Sequence, residues 1–112
     1  MSSDLSEQKQ QFEGGATRSV KTARFDLVPG CAERRLAERY GLGAVKHGDN
    51  NWRQGGAEFI KGCVNHMQAH LADFKDHGNK DDDNLAAILW GAAALTWFEE
   101  NKPEEFAKAF PR

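Results

Sequence analysis

At 112 residues the chain is the size of one domain, and it must stretch to bury a core of useful size. Its 15 basic and 17 acidic residues are mixed along the sequence, for a formal net charge of -2; with no basic stripe, duplex DNA or RNA is excluded as a partner. No positive amino-terminal segment runs into an apolar core, and the longest uncharged run, Asn84 to Phe98, is too short to cross a bilayer. Cys31 and Cys63 lack metal-ligand spacing and an extracellular context, so both are expected to be reduced. A soluble, cytoplasmic, all-α protein is expected.

Residues 1–21 are polar, with the Gly14-Gly15 pair and only Phe12 as a large apolar group, and read as a flexible arm. Residues 22–112 read as a single helical domain. Its lead-in, Arg24 to Gly30, should be extended, since Pro29 disfavours helix at Val28. A first helix is predicted from about Cys31 to Tyr40, stopping at Gly41. A second begins after Gly55-Gly56 and ends near Gly78, with Phe59, Ile60, Cys63, Met67, Leu71 and Phe74 forming one apolar stripe. A third starts at the acidic cluster Asp81-Asp82-Asp83 and reaches Glu99 or Glu100. Pro103 opens a short last helix to about Phe110. The body of the third helix, Leu85 to Leu95, is apolar on every face and has to be enclosed all round, so a homo-oligomer formed through it is expected. The architecture is therefore a small bundle of three main helices plus a short carboxy-terminal one.

Chemistry concentrates in Tyr40 to Trp52. Glycines at 41, 43 and 48 suggest a loop able to approach a ligand closely. Lys46, His47, Asp49, Asn50, Asn51 and Trp52 offer a cation, a titratable ring, a carboxylate, two amides and an indole, an inventory suited to a phosphorylated, base-bearing ligand. The same residues would also serve as a plain turn with a helix cap. On the second helix His66, His70, Asp73 and His77 are spaced by four, three and four, which puts them in a row along one edge. Such a row could bind a divalent ion or a phosphate, or simply be a solvated edge. Asp81-Asp82-Asp83-Asn84 is a second candidate, because Mg2+ is usually held by one or two carboxylates plus substrate phosphates; capping alone selects the same residues. There is no P-loop, no zinc spacing and no serine or cysteine nucleophile with a base.

From about Ala23 to Glu100, roughly three-quarters of the chain, the sequence resembles small phage proteins known as dATP/dGTP diphosphohydrolases, the MazZ group, relatives of the MazG-like all-α nucleotide pyrophosphatases. The resemblance is carried by Ala23 to Pro29, by Gly43-Ala44-Val45-Lys46-His47-Gly48-Asp49-Asn50-Asn51-Trp52 with Gly55, by Asn65-His66-Met67, and by Asp82-Asp83-Asn84-Leu85-Ala86 with Leu89-Trp90. It implies an oligomeric, MazG-like helical protein of an infected bacterial cell that binds a purine nucleotide with Mg2+ and releases pyrophosphate, leaving a monophosphate. On that reading Lys46, His47, Asp49, Asn50, Asn51, Trp52 and His70 contact the nucleotide, His66, Asp82 and Asp83 are catalytic, and Asp82 and Asp83 hold the metal.

Departures point elsewhere. Asn65 stands where family members often carry Arg, and Asn84, Ala87 and Gly91 stand where they carry His, His and Asn. The four-acid pattern of MazG proteins is missing, since Glu33 and Glu38 are five apart and share no face. The alternative is a binding-only member: an oligomeric sponge that sequesters a nucleotide immune signal, of the cyclic-nucleotide or ADP-ribose type, used in anti-phage defence. A third possibility, an interaction module with no small ligand, would leave the inventory of the 40–52 segment without a role.

Overall fold

The computed structural model describes residues 9–19 and 22–112, which fall into two units divided after Gly30. The part of the expected arm at 1–8, 20 and 21 lies outside the described residues. The rest of it is a hairpin. Strands β1 (Lys9–Gln11) and β2 (Thr17–Ser19) pair antiparallel, with Gln10 opposite Arg18. No alternation of apolar residues announces this hairpin; its turn does. Gly14 and Gly15 adopt φ +86° and +91°, angles open chiefly to glycine, and Phe12 N donates to Ala16 O at 2.7 Å. The Arg18 guanidinium lies over the Phe12 ring at 4.4 Å. The lead-in is also less extended than expected: Phe25–Leu27 forms a 3-10 turn, which the Arg24–Asp26 pair, bonded at 2.8 and 2.7 Å, bridges at its start.

The second unit is helical throughout. Helix α1 (Gly30–His47) runs past Gly41 and Gly43, two turns beyond its expected end. A glycine inside a helix costs about 1 kcal/mol, but stops the helix only where the chain needs φ above zero. That happens at Gly48, φ +94°, whose N–H bonds Ala44 O at 2.8 Å. Asn50, also left-handed at φ +57°, completes the reversal into the 3-10 turn Asn51–Gln54. Helix α2 (Ala57–His77) follows Gly55-Gly56 and ends at Gly78, φ +62°. Helix α3 (Asn84–Asn101) begins where Asp83 Oδ1 accepts the Ala86 N–H at 3.1 Å. Helix α4 (Pro103–Ala109) has its proline at the first helical turn.

The core forms where α2, α3 and α4 meet. Ile60 and Phe98 are fully buried, packed by Trp52, Leu95, Trp97, Phe106 and Phe110. Burying a side chain of that size stabilises the fold by about 1.5–3 kcal/mol. Contacts of Phe59 with Phe98 at one end and His70 with Asn84 at the other make α2 and α3 antiparallel. They pack tightly at Gly91, where an added Cβ would stand 2.4 Å from Met67 Cγ. The small residues of α3 therefore serve first to admit α2 of the same chain. Gly91→Ala should push Met67 aside and cost about 1–3 kcal/mol, read as a lowered urea midpoint with an unchanged slope.

Helix α1 is different: it has no buried residue, and Leu42 and Val45 are 47% and 87% exposed. Leu85 and Leu89 of α3 are exposed as well, so one chain does not enclose α3 all round. No helix among the described residues is long and apolar enough to cross a membrane. Cys31 is exposed and Cys63 is buried, and both thiols are free; burial pushes the Cys63 thiol up, as suits an inert core group.

Candidate nucleotide-binding cavity

Because α1 stands off from α2 and α3, a cavity of about 780 Å³ opens between them, closed at one end by the returning 48–52 turn. Lys46 and His47 reach it from the last turn of α1. Asp49, Asn50, Asn51 and Trp52 line it from the turn, and His66 and His70 from α2. The structure thus gathers Lys46, His47, Asp49 to Trp52, His66 and His70 around one space, although 41–47 is helix rather than loop, and leaves Asp73 and His77 of the expected row outside its lining. His66 is exposed. Asp82 and Asp83 are not among the lining residues; they sit beside the cavity at the start of α3.

Both aspartates already have partners. Arg35 forks onto Asp83 with bonds of 2.8 and 2.5 Å, and Arg39 onto Asp82 with bonds of 2.7 and 3.3 Å. The Arg39 guanidinium holds the Asp82 carboxyl below the usual carboxylate range, and Arg35 does the same for Asp83. Among the described residues these are the side-chain hydrogen bonds that tie α1 to another element. Since the aspartate pKa values are lower in the folded chain than unfolded, the ties contribute fully above about pH 4 and are lost as pH falls through the lowered values. Protection of the α1 amides, relative to their unfolded exchange rates at the same pH, should therefore fall in acid before that of α2 and α3, and Arg35→Met should weaken that pH dependence.

The donor set does not fit a resident divalent ion. No three His, Cys, Asp or Glu side chains converge as a metal site among the described residues, and the two acids best placed for one are held by arginines. Asp49 is the remaining carboxylate on the cavity wall.

An aromatic group forms part of the wall. Tyr40, Trp52 and Trp90 line the cavity with ring centroids 5.8–6.0 Å apart, and Trp52 backs onto Trp97 at 5.3 Å and Phe98 at 5.6 Å. Trp52 is thus as much a wall of the core as a surface for a ligand. Its turn is fastened from behind: Lys102 Nζ donates to Arg53 O at 2.6 Å and Gly55 O at 3.3 Å, and Glu105 accepts the Ala57 N–H at 3.0 Å. Burial pushes the Tyr40 hydroxyl up, with Arg53 pulling the other way. Ala87 and Gly91 leave the α3 side of the wall low and apolar.

No local pattern in the sequence marks Arg35, Arg39 or Trp90 as part of this site. The available signal was the match between two arginines four apart and the acidic pair 82–83. Asn84, a member of the acidic candidate 81–84 and also one of the departures, is 3% exposed.

The sequence profile described as dATP/dGTP diphosphohydrolase, N-terminal, matches residues 13–108. The chain belongs to this family. Membership in the dATP/dGTP diphosphohydrolase N-terminal family spans both structural units, from the hairpin turn to the last helix. No curated protein and no solved structure matches the chain.

Proposed function

We propose that the cavity binds a purine nucleoside triphosphate and that the chain cleaves it to a monophosphate and pyrophosphate. The observation that carries the binding reading is the meeting, around one 780 Å³ space, of an aromatic group with the cation Lys46, which has no ion-pair partner among the described residues. Rings offer a face or edge to a base, and the lysine neutralises phosphate. Family membership supports the cleavage step. Magnesium belongs to this reading as part of the substrate, the Mg-nucleotide.

The arginine ties favour a second reading, sequestration without turnover, in which the chain acts as a sponge for a purine nucleotide or a signal derived from one. An enclosed, preorganised pocket suffices for that. In either case exposed Leu42, Val45, Leu85 and Leu89 support assembly into a homo-oligomer.

The deciding experiment incubates the protein with Mg-dATP, Mg-dGTP and cyclic or ADP-ribose-type nucleotides, filters it, and chromatographs both the filtrate and what heating releases. A monophosphate in the filtrate establishes cleavage; an intact nucleotide released on heating establishes sequestration. No retention and no product sinks both readings. Lys46→Ala should weaken triphosphate binding about ten- to a hundredfold, the loss of a charge-assisted contact worth about 1.5–3 kcal/mol, with the melting curve unchanged.

A further inference from the structure

His70 and Asn84 form a polar unit that the proposed function leaves unused. Asn84 is buried, and its Nδ2 donates to Gly78 O at 2.8 Å. A backbone carbonyl can only accept, so the amide orientation is fixed and Oδ1 faces the other way. There it lies 2.9 Å from His70 Nδ1. A carbonyl oxygen also only accepts, so Nδ1 must carry a proton and donate. In the neutral ring Nε2 is then bare, and with Nδ1 turned onto Asn84 it sits on the opposite edge of a ring that lines the cavity.

A lone pair in that position selects its ligand atom: it takes an N–H or O–H and repels a phosphate oxygen. The surroundings agree. Asp82 Oδ2 lies 4.0 Å from Nδ1, and Arg39 is paired with Asp82, so charge at this end of the cavity is balanced. Lys46, without an ion-pair partner among the described residues, lies seven residues further along α1, about 10 Å along the helix axis. Tyr40 adjoins the balanced end and packs on Trp90. The cavity thus has a base end at Arg39, Tyr40 and His70 and a phosphate end at Lys46.

Building on the nucleotide reading above, we propose that His70, held by Asn84 with its Nδ1 proton inward, reads an amino group on the purine base through Nε2. His70 is in this sense a specificity-determining residue.

Two measurements on the full chain test it. Long-range 1H–15N spectra of the histidine rings at pH 8, with His70 assigned by its loss in His70→Gln, should show the Nδ1–H tautomer, and Asn84→Leu should release it. The Nε2–H tautomer in the unaltered protein overturns the proposal whatever the ligand. Binding is then compared within two pairs: dATP against the analogue with hydrogen in place of the 6-amino group, and dGTP against dITP, which lacks the 2-amino group. One amino-bearing member should bind roughly fivefold or more tightly than its partner, and the ratio should fall to about one in His70→Phe. His70→Gln, which can still bond Asn84, serves if the Phe variant unfolds. A ratio untouched by either variant overturns base reading, while a loss of binding in Lys46→Ala would leave the nucleotide reading standing. If the unaltered protein holds no purine nucleotide, the nucleotide reading falls and base reading with it, and the tautomer spectrum still decides whether the Asn84 lock exists.

Discussion

Trp52→Ala is expected to destabilise the helical unit by about 3 kcal/mol or more, the range for truncating a large aromatic in a packed site. The indole meets Tyr40, Trp90, Trp97 and Phe98 with centroids 5.3–6.0 Å apart, and the Arg53 guanidinium covers it at 5.4 Å. Truncation removes the apolar contact area and also the edge-to-face geometry that the indole shares with Trp90, Trp97 and Phe98. It leaves a void between the 51–54 turn and Phe98, which Lys102 and Glu105 prevent the turn from closing. For a domain of about 100 residues, 3 kcal/mol corresponds to a fall in Tm of roughly 12–24 °C. Trp52→Phe, which keeps a ring in the group, should lose less than half as much. A melt of Trp52→Ala within 3 °C of the parent would mean that the ring is a ligand surface only and that the core closes without it.

The helices that pack were legible because their residues repeat at helical spacing. Ile60 and Cys63 lie in the expected stripe of α2 and are its buried residues, and α2, α3 and α4 end within a few residues of their capping signals. The end of α1 was not legible, because the propensity of Gly41 and Gly43 is a local cost that the surrounding turns of helix outweigh, whereas Gly48 alone needs φ above zero. The hairpin was hidden for the opposite reason: its strands of three polar residues carry no pattern, and only the two glycines mark it. At the cavity, the segment from Lys46 to Trp52 could be recognised from residue types close in sequence. Its other wall depends on Arg35 and Arg39 meeting residues 43 to 48 positions away, which no local pattern encodes. The same separation hides the Asn84–His70 bond, since a buried asparagine at a helix start looks like a cap until its partner on α2 is seen.

Removing both ties at once, in Arg35→Met/Arg39→Met, should free α1 while leaving α2, α3 and α4 packed. Helix α1 buries no residue, and Tyr40 is its anchor in the aromatic group once the arginines are gone. The substitution keeps most of each aliphatic stem and leaves Asp83 free to cap Ala86, so the start of α3 is preserved. Amides of α1 should exchange at least tenfold faster, and those around Ile60 and Phe98 should be unchanged. Nucleotide affinity should fall at least tenfold, because α1 supplies Lys46 and one wall of the cavity, and a wall that must be ordered on binding adds its own cost. The single substitutions should show less than half of the combined effect, since either fork alone still fixes the same helix, and a double-mutant cycle reads that coupling directly. Unchanged exchange in the double variant would mean that Tyr40 alone holds α1, and would move the hinge of the cavity from the arginines to the aromatic group.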